Sequence, residues 1–282
     1  MPKKVIISAD STCDLSPELI KRYDIRIVPL YVNLADKVCR DGVDVTPDDI
    51  YAFVSRTGIL PTTAAVNPEE YLSFFKDMQA GGDCDLIHIN ISSDMSSCHQ
   101  NARLASEALS GVYAVDSMNL STGSGHLVIE AAEMAEAGMA AADIVKELES
   151  LRTKVDASFV IDTLEYLHKG GRCSSVAALG ANLLKLKPCI EVVNGKMGVG
   201  KKYRGSLSSV LPEYASDRLK AKGVKPRRVF ITHSGCEAEL LSLVRSKIES
   251  LAMFDEIIET RAGCTISCHC GPGTLGVLFI RS

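Results

Sequence analysis

Val5-Ile6-Ile7-Ser8-Ala9-Asp10, followed at a short distance by Ser16-Pro17-Glu18, is the stretch that decides the fold. The apolar, β-branched run reads as a buried strand that ends on a carboxylate. Ser16-Pro17-Glu18 then supplies an N-cap, a proline at the first helical position and an acidic first turn. The same start recurs at Thr46-Pro47-Asp48-Asp49 and at Asn67-Pro68-Glu69-Glu70, so helices are expected to begin at all of these points. Further strands are expected at Asp85–Ile91, Gly111–Asp116, Ala157–Asp162, Arg227–Thr232 and Leu275–Ile280. Helical patterns fall between them at Ser96–Leu109, Gly125–Ala137, Ala142–Val155 and Ala238–Leu251. Such alternation predicts an α/β protein with a largely parallel sheet.

Gly138–Ala142 is a break of small residues, and a new strand is expected soon after Lys154-Val155. The boundary between two domains is therefore placed near residue 155, giving an N-terminal α/β domain over 1–155 and a C-terminal mixed α/β domain over 156–282, with a ligand cleft between them. The second half also holds Pro188–Val193 and Gly195–Val199, a hairpin pattern around Asn194-Gly195. No internal repeat or low-complexity segment is evident.

Composition narrows the functional classes. The chain of 282 residues has 31 Lys plus Arg against 35 Asp plus Glu, a net charge of −4, with 46% apolar residues. A sizeable core is available, and the mild acidity speaks against a general nucleic-acid binder. With no Trp and only 5% aromatic residues, a base-stacking surface is not expected. No apolar run is long enough to span a membrane. Val5-Ile6-Ile7 is too short for a signal-peptide core, so the ten cysteines are read as reduced thiols of a cytoplasmic protein.

The densest cysteine cluster is Cys264-x-x-x-Cys268-His269-Cys270. In extended backbone its adjacent ligands cannot converge on one tetrahedral ion, and no C-x-x-C pair supplies a second half. The cysteines are read as small core residues and no metal is expected. His269 precedes Gly271-Pro272-Gly273, a turn that can hold a side chain at a cleft edge. Lys185 and Lys187 are read as a solvated face.

Hydroxyl-rich loops follow several strand ends: Thr62-Thr63 after Leu60-Pro61, Ser92-Ser93-Asp94-Met95-Ser96-Ser97, and Ser121-Thr122-Gly123-Ser124-Gly125. One such loop is ordinary capping. Several at one sheet edge point to an anion-accepting cleft beyond the strand ends. Lys169-Gly170-Gly171-Arg172 adds a sharp turn and a forked donor, and Arg204 offers a basic rim for a phosphorylated species or a partner. A G-x-S-x-G elbow, a Walker A sequence and H-E-x-x-H are all missing, so no catalytic residue is assigned and no cofactor is expected.

Taken in order, Asp10-Ser11-Thr12, Pro61-Thr62-Thr63, Ser92-Ser93-x-Met95-Ser96, Asp116-Ser117, Tyr166-Leu167-x-Lys169-Gly170-Gly171-Arg172, Leu186-Lys187-Pro188 and His269-x-Gly271-Pro272-Gly273 resemble the DegV family of bacterial fatty-acid-binding proteins. The similarity runs over nearly the whole chain. It departs at Thr63-Ala64-Ala65-Val66-Asn67, where the family usually has Thr-Ser-Gln-Pro-Ser, and at Met95-Ser96-Ser97-Cys98-His99, where Leu-Ser-Gly-Thr-Tyr is usual.

The resemblance implies a two-domain fold with a long-chain fatty acid held between the domains. Thr63 and Ser96 would bind the carboxylate, with Arg172 and His269 completing the polar end, Thr62 and Ser97 beside them, and Arg204 meeting phosphate or a partner. It further implies a non-enzymatic carrier whose bound acyl group is phosphorylated by an ATP-dependent fatty acid kinase. Two other readings stay open on the residues: a small-molecule transferase or kinase-like enzyme using His269, and a cysteine-based metal or redox sensor.

Overall fold

The computed structural model describes residues 3–177, 186–220, 223–251 and 253–282. Its strands in chain order are β1 (Lys4–Asp10), β2 (Arg26–Val28), β3 (Tyr31–Leu34), β4 (Lys37–Arg40), β5 (Thr62–Ala64), β6 (Cys84–Asn90) and β7 (Val112–Asp116). They continue with β8 (Val155–Val160), β9 (Leu186–Val193), β10 (Lys196–Arg204), β11 (Val224–His233), β12 (Glu256–Arg261) and β13 (Leu275–Arg281). Three sheets result: parallel β2-β1-β6-β7, mostly antiparallel β10-β9-β8-β13-β11-β12, and a small antiparallel β4-β3-β5. The protein is thus mixed α/β. Parallel pairing dominates the first half, while among the described residues the second half contains one parallel pair, β11 with β12.

The helix starts follow from their caps. Ser16, Thr46 and Asn67 each accept a hydrogen bond from the backbone N–H three residues on, and Thr46 with Asp49 closes a full capping box. The hairpin forms at Asn194-Gly195, where both residues take positive φ (49° and 83°) as a tight turn of this hand requires.

The strands of the four-stranded sheet all precede residue 117, and those of the six-stranded sheet begin at Val155. The halves nonetheless share a core. Helix Thr122–Glu136 is buried continuously over residues 122–132, with Leu127, Val128 and Ile129 fully enclosed. It sits in one apolar cluster with Ile7, Ala9 and Ile87 of the parallel sheet and Phe230, Leu278 and Ile280 of the other. A helix covered on several sides has no solvated face, which explains its weak amphipathic pattern.

Several elements differ from expectation. Cys264–Cys270 is a helix rather than extended chain, so its neighbouring side chains point to different faces. Strands β3, β4 and β5 are short and lack a continuous apolar run, so their small sheet carries no periodic signal, and Thr62-Thr63, expected in a loop, lies instead in β5, paired with β3. Lys187 is not a free solvated lysine: its ammonium donates to the Asp162 carbonyl at 3.1 Å and pairs with the Asp162 carboxylate. Lys185 lies outside the described residues.

Candidate functional site

The site begins with Asp10, the carboxylate that ends β1. Buried among polar partners, it accepts from Tyr71 Oη at 2.6 Å, from the Ile91 amide at 3.0 Å and from Asn90 Nδ2 at 3.2 Å. These bonds fix the end of β6 and the start of the 92–97 loop, on which Ser96 sits half-buried. Ser96 Oγ donates to Cys98 Sγ at 3.1 Å.

The neighbouring Ser11 donates its hydroxyl to Asp41, which in turn accepts from the amides of Cys264 and Thr265 at 2.8 and 3.0 Å. Asp14 takes the Gly263 amide at 2.8 Å. Two buried acidic side chains therefore satisfy the free amides at the N-terminal end of helix Cys264–Cys270. Burial, reinforced by the nearby Asp41 charge, pushes the Asp14 carboxyl up to about 8.

The far end of that helix carries His269. The chain leaves it at Gly271, where φ is +72° and a Cβ would stand 2.7 Å from the Tyr166 ring, so only glycine fits. Gly170 meets His269 from the opposite side: its φ is not positive, but a Cβ there would stand 2.4 Å from His269 Nδ1. His269 Nε2 shares a hydrogen bond of 2.8 Å with Thr63 Oγ1 on β5, and Nδ1 is enclosed without a partner. Burial first, and then the Arg172 charge, lowers the imidazole to about 4, leaving it neutral around pH 7.

These groups line one cavity of about 550 Å³, mouth included. Thr63, Ser96, Arg172 and His269 are its polar members together with Thr265, and the rest of the wall is apolar, including Leu30, Ile91, Met95, Leu167 and Met197. Leu120, Ile266 and Cys270 are shared with a second cavity of about 370 Å³, mouth included, which reaches Ala157 and Phe159 of β8 and Gly276 and Leu278 of β13 and is also lined by Ser121, Thr232, His233, Ser234 and Thr274. The two cavities thus lie side by side, the first at the hydroxyl-rich loops and the second against the six-stranded sheet.

Thr62, Ser97 and Arg204 are not in that lining. Thr62 faces outward, where Asn33 donates to its hydroxyl, and Ser97 is exposed at the start of helix Cys98–Ser106. Arg204 is exposed at the end of β10. Arg172 stands exposed at the cavity, with Nη1 donating to the Gly170 carbonyl at 2.7 Å. Sequence reasoning missed Thr265; its signal was the four-residue spacing to His269 on what is now seen to be a helix. Among the described residues no group of three or more potential metal ligands converges, and no helix is long and apolar enough to cross a membrane.

A family model, DegV family COG1307, matches residues 4–282. The chain belongs to the DegV family. A DegV domain-containing protein of Caldanaerobacter subterraneus is 31% identical, the match covering 98% of this chain and 99% of the relative. The crystal structure of a DegV protein from Thermus thermophilus, described by its fatty acid binding, superposes with a TM-score of 0.90 at 31% identity, covering 99% of this chain and all of that one. A stearic acid-binding protein from Eubacterium ventriosum superposes with a TM-score of 0.83 at 26% identity, covering 99% and 98%. This DegV protein therefore shares its fold with relatives that bind fatty acids.

Proposed function

We propose that this chain binds a long-chain fatty acid, with its carboxylate at Thr63, Ser96 and Arg172 and its acyl chain in the adjacent cavity space. The observation that carries this reading is the polarity of the first cavity: a cluster of hydroxyls and a guanidinium at one wall, with Leu30, Ile91, Met95, Leu167 and Met197 lining the rest. Charge-assisted hydrogen bonds suit the carboxylate, and each buried methylene contributes roughly 0.8 kcal/mol. His269 acts on Thr63. With Nε2 protonated it donates to Thr63 Oγ1, which turns the Thr63 O–H toward the ligand.

The protein acts as a cytoplasmic carrier without catalysis or cofactor of its own, and presents the carboxylate to an ATP-dependent kinase that converts it to an acyl phosphate. The exposed position of Arg172 at the cavity supports this, because a buried carboxylate could not meet a second protein. Arg204, exposed at the end of β10, would touch phosphate or that partner.

The Thr63–His269 contact also keeps an enzyme reading in view, since it pairs a hydroxyl with a base. Two features weigh against it. A base lowered to about 4 is weak, and no carboxylate fixes the tautomer at its unpartnered Nδ1. Turnover of acyl or keto substrates without a partner would favour the enzyme.

The primary test is denaturing extraction of the recombinant protein with lipid mass spectrometry, backed by uptake of palmitate and oleate. A stoichiometric fatty acid is expected; none bound and none taken up would overturn the reading. Ser96→Ala and Arg172→Ala are each expected to weaken carboxylate binding, and unchanged affinity in both would remove the site assignment. Acyl phosphate formed with the candidate kinase and ATP, and only when this protein is present, tests the carrier role.

A further inference from the structure

We propose that the cavity contains a second polar subsite at Thr265, which takes a hydroxyl or keto oxygen on the acyl chain a few carbons from the carboxyl group. The proposal rests on the fatty-acid reading and deepens it by naming a class of acyl chain.

Helix Cys264–Cys270 divides its faces sharply. Cys264 and Cys268 pack into the apolar cluster of Val32, Cys39, Val45 and Ile50, whereas Thr265, Ile266, His269 and Cys270 line the cavity. Thr265 and His269 are four residues apart and so lie on one stripe of the helix, about 6 Å apart along its axis. That rise equals a few methylenes of an extended acyl chain. Because both residues line the same cavity, an acyl chain whose carboxylate lies beside His269 and that follows this stripe passes Thr265 with its first carbons.

The Thr265 amide is already engaged by Asp41 at 3.0 Å, but its hydroxyl is not. Thr265 is 4% exposed, and Oγ1 is enclosed without any hydrogen-bond partner. A hydroxyl needs a donor or acceptor when removed from water, and leaving it unpaired costs free energy that valine, of nearly the same shape, would not incur. Thr12 and Ser216 also have unpartnered buried hydroxyls, yet neither lines this cavity. Thr265 thus combines an unmet hydrogen-bonding group with a place on the ligand path. A chain hydroxyl can donate to or accept from Oγ1, and a keto oxygen can accept from its O–H. An unsubstituted chain leaves Thr265 unpaired.

The test is displacement of a fluorescent fatty acid from the full-length protein by palmitate, 3-hydroxypalmitate, 5-hydroxypalmitate and 16-hydroxypalmitate, repeated with Thr265→Val. We expect the 3- or 5-hydroxy acid to bind about fivefold or more tighter than palmitate, and the 16-hydroxy acid to show no such gain. In Thr265→Val that preference should vanish while palmitate binds as well or better. Equal or weaker binding of both near-carboxyl hydroxy acids by the native protein would overturn the proposal, as would a preference surviving in Thr265→Val. Palmitate binding alone, without the preference, leaves the fatty-acid reading standing and removes only the subsite. Failure of every acid to bind removes both. Circular dichroism of Thr265→Val confirms that the comparison is made between folded proteins.

Discussion

Thr63 Oγ1 and His269 Nε2 stand 2.8 Å apart, although 206 residues separate them in the chain. The contact joins the small β4-β3-β5 sheet to the helix that ends the cavity wall. If His269 works by orienting the Thr63 hydroxyl, the two form one unit. Thr63→Val and His269→Ala are each expected to lower fatty-acid affinity about tenfold, in line with loss of a hydrogen bond to a charged group. The double variant should lose little more than either single one. Displacement titrations on all three variants measure this, and fully additive losses would show that the residues act separately.

Gly170→Ala separates the site from the fold. Gly170 closes helix Glu165–Gly170 without a positive φ, so alanine suits the backbone and even gains about 1 kcal/mol of helix propensity. The added methyl would nevertheless meet His269 Nδ1. Affinity should fall about tenfold as the imidazole shifts away from Thr63, while the melting temperature stays within a few degrees. Unaltered binding would mean that His269 can move without consequence.

The buried histidines set the acid side of the stability profile. His126 is pushed down to about 3 and His269 to about 4, chiefly by burial, from an ordinary value of 6.5. Between these values the unfolded chain binds protons that the folded protein does not. Stability is therefore lost as pH falls from about 6.5 toward 4, at ~1.4 kcal/mol per pH unit for each group. Asp14 has the opposite sign. Raised to about 8, it keeps a proton in the folded state that the unfolded carboxyl releases near 3.8, so it removes stability as pH rises toward 8. Urea unfolding at pH 5, 6.5 and 8 should show a maximum near the middle value. Asp14→Asn should abolish the decline between pH 6.5 and 8 and steepen the loss between pH 6.5 and 5, where the Asp14 and histidine contributions have opposite signs.

Removal of metal should do nothing. Cys264 and Cys268 face the core, while His269 and Cys270 face the cavity, and burial raises the thiols, Cys270 to about 12. Thiolates are the zinc ligands, so this helix is a poor site. Incubation with a chelator should leave the melting temperature unchanged, and elemental analysis should find far less than one zinc per chain. Stoichiometric zinc would revive the sensor reading.

Much of this was legible in residues 5–18 and in the patterns that repeat them. Caps at Ser16, Thr46 and Asn67 act over three residues, so their helices are set locally. The Asn194-Gly195 turn is equally local. The β5 strand and the Cys264–Cys270 helix were not legible. Thr62–Ala64 becomes a strand because Tyr31–Leu34 pairs with it, and the short helix is held by Asp14 and Asp41 from more than 200 positions earlier.

The sequence by itself determined the alternation of strands and helices, the hydroxyl-rich segments at 92–97 and 121–125, and the glycines that flank His269. Those depend on local backbone preference and on side-chain pattern. Only the tertiary structure decided which hydroxyls share a cavity. It brought Thr63, Ser96, Arg172 and His269 to one lining, turned Thr62 and Ser97 outward, and added Thr265. The reason is physical: a side chain's direction depends on the strand or helix that carries it, and here distant partners decide what those elements are.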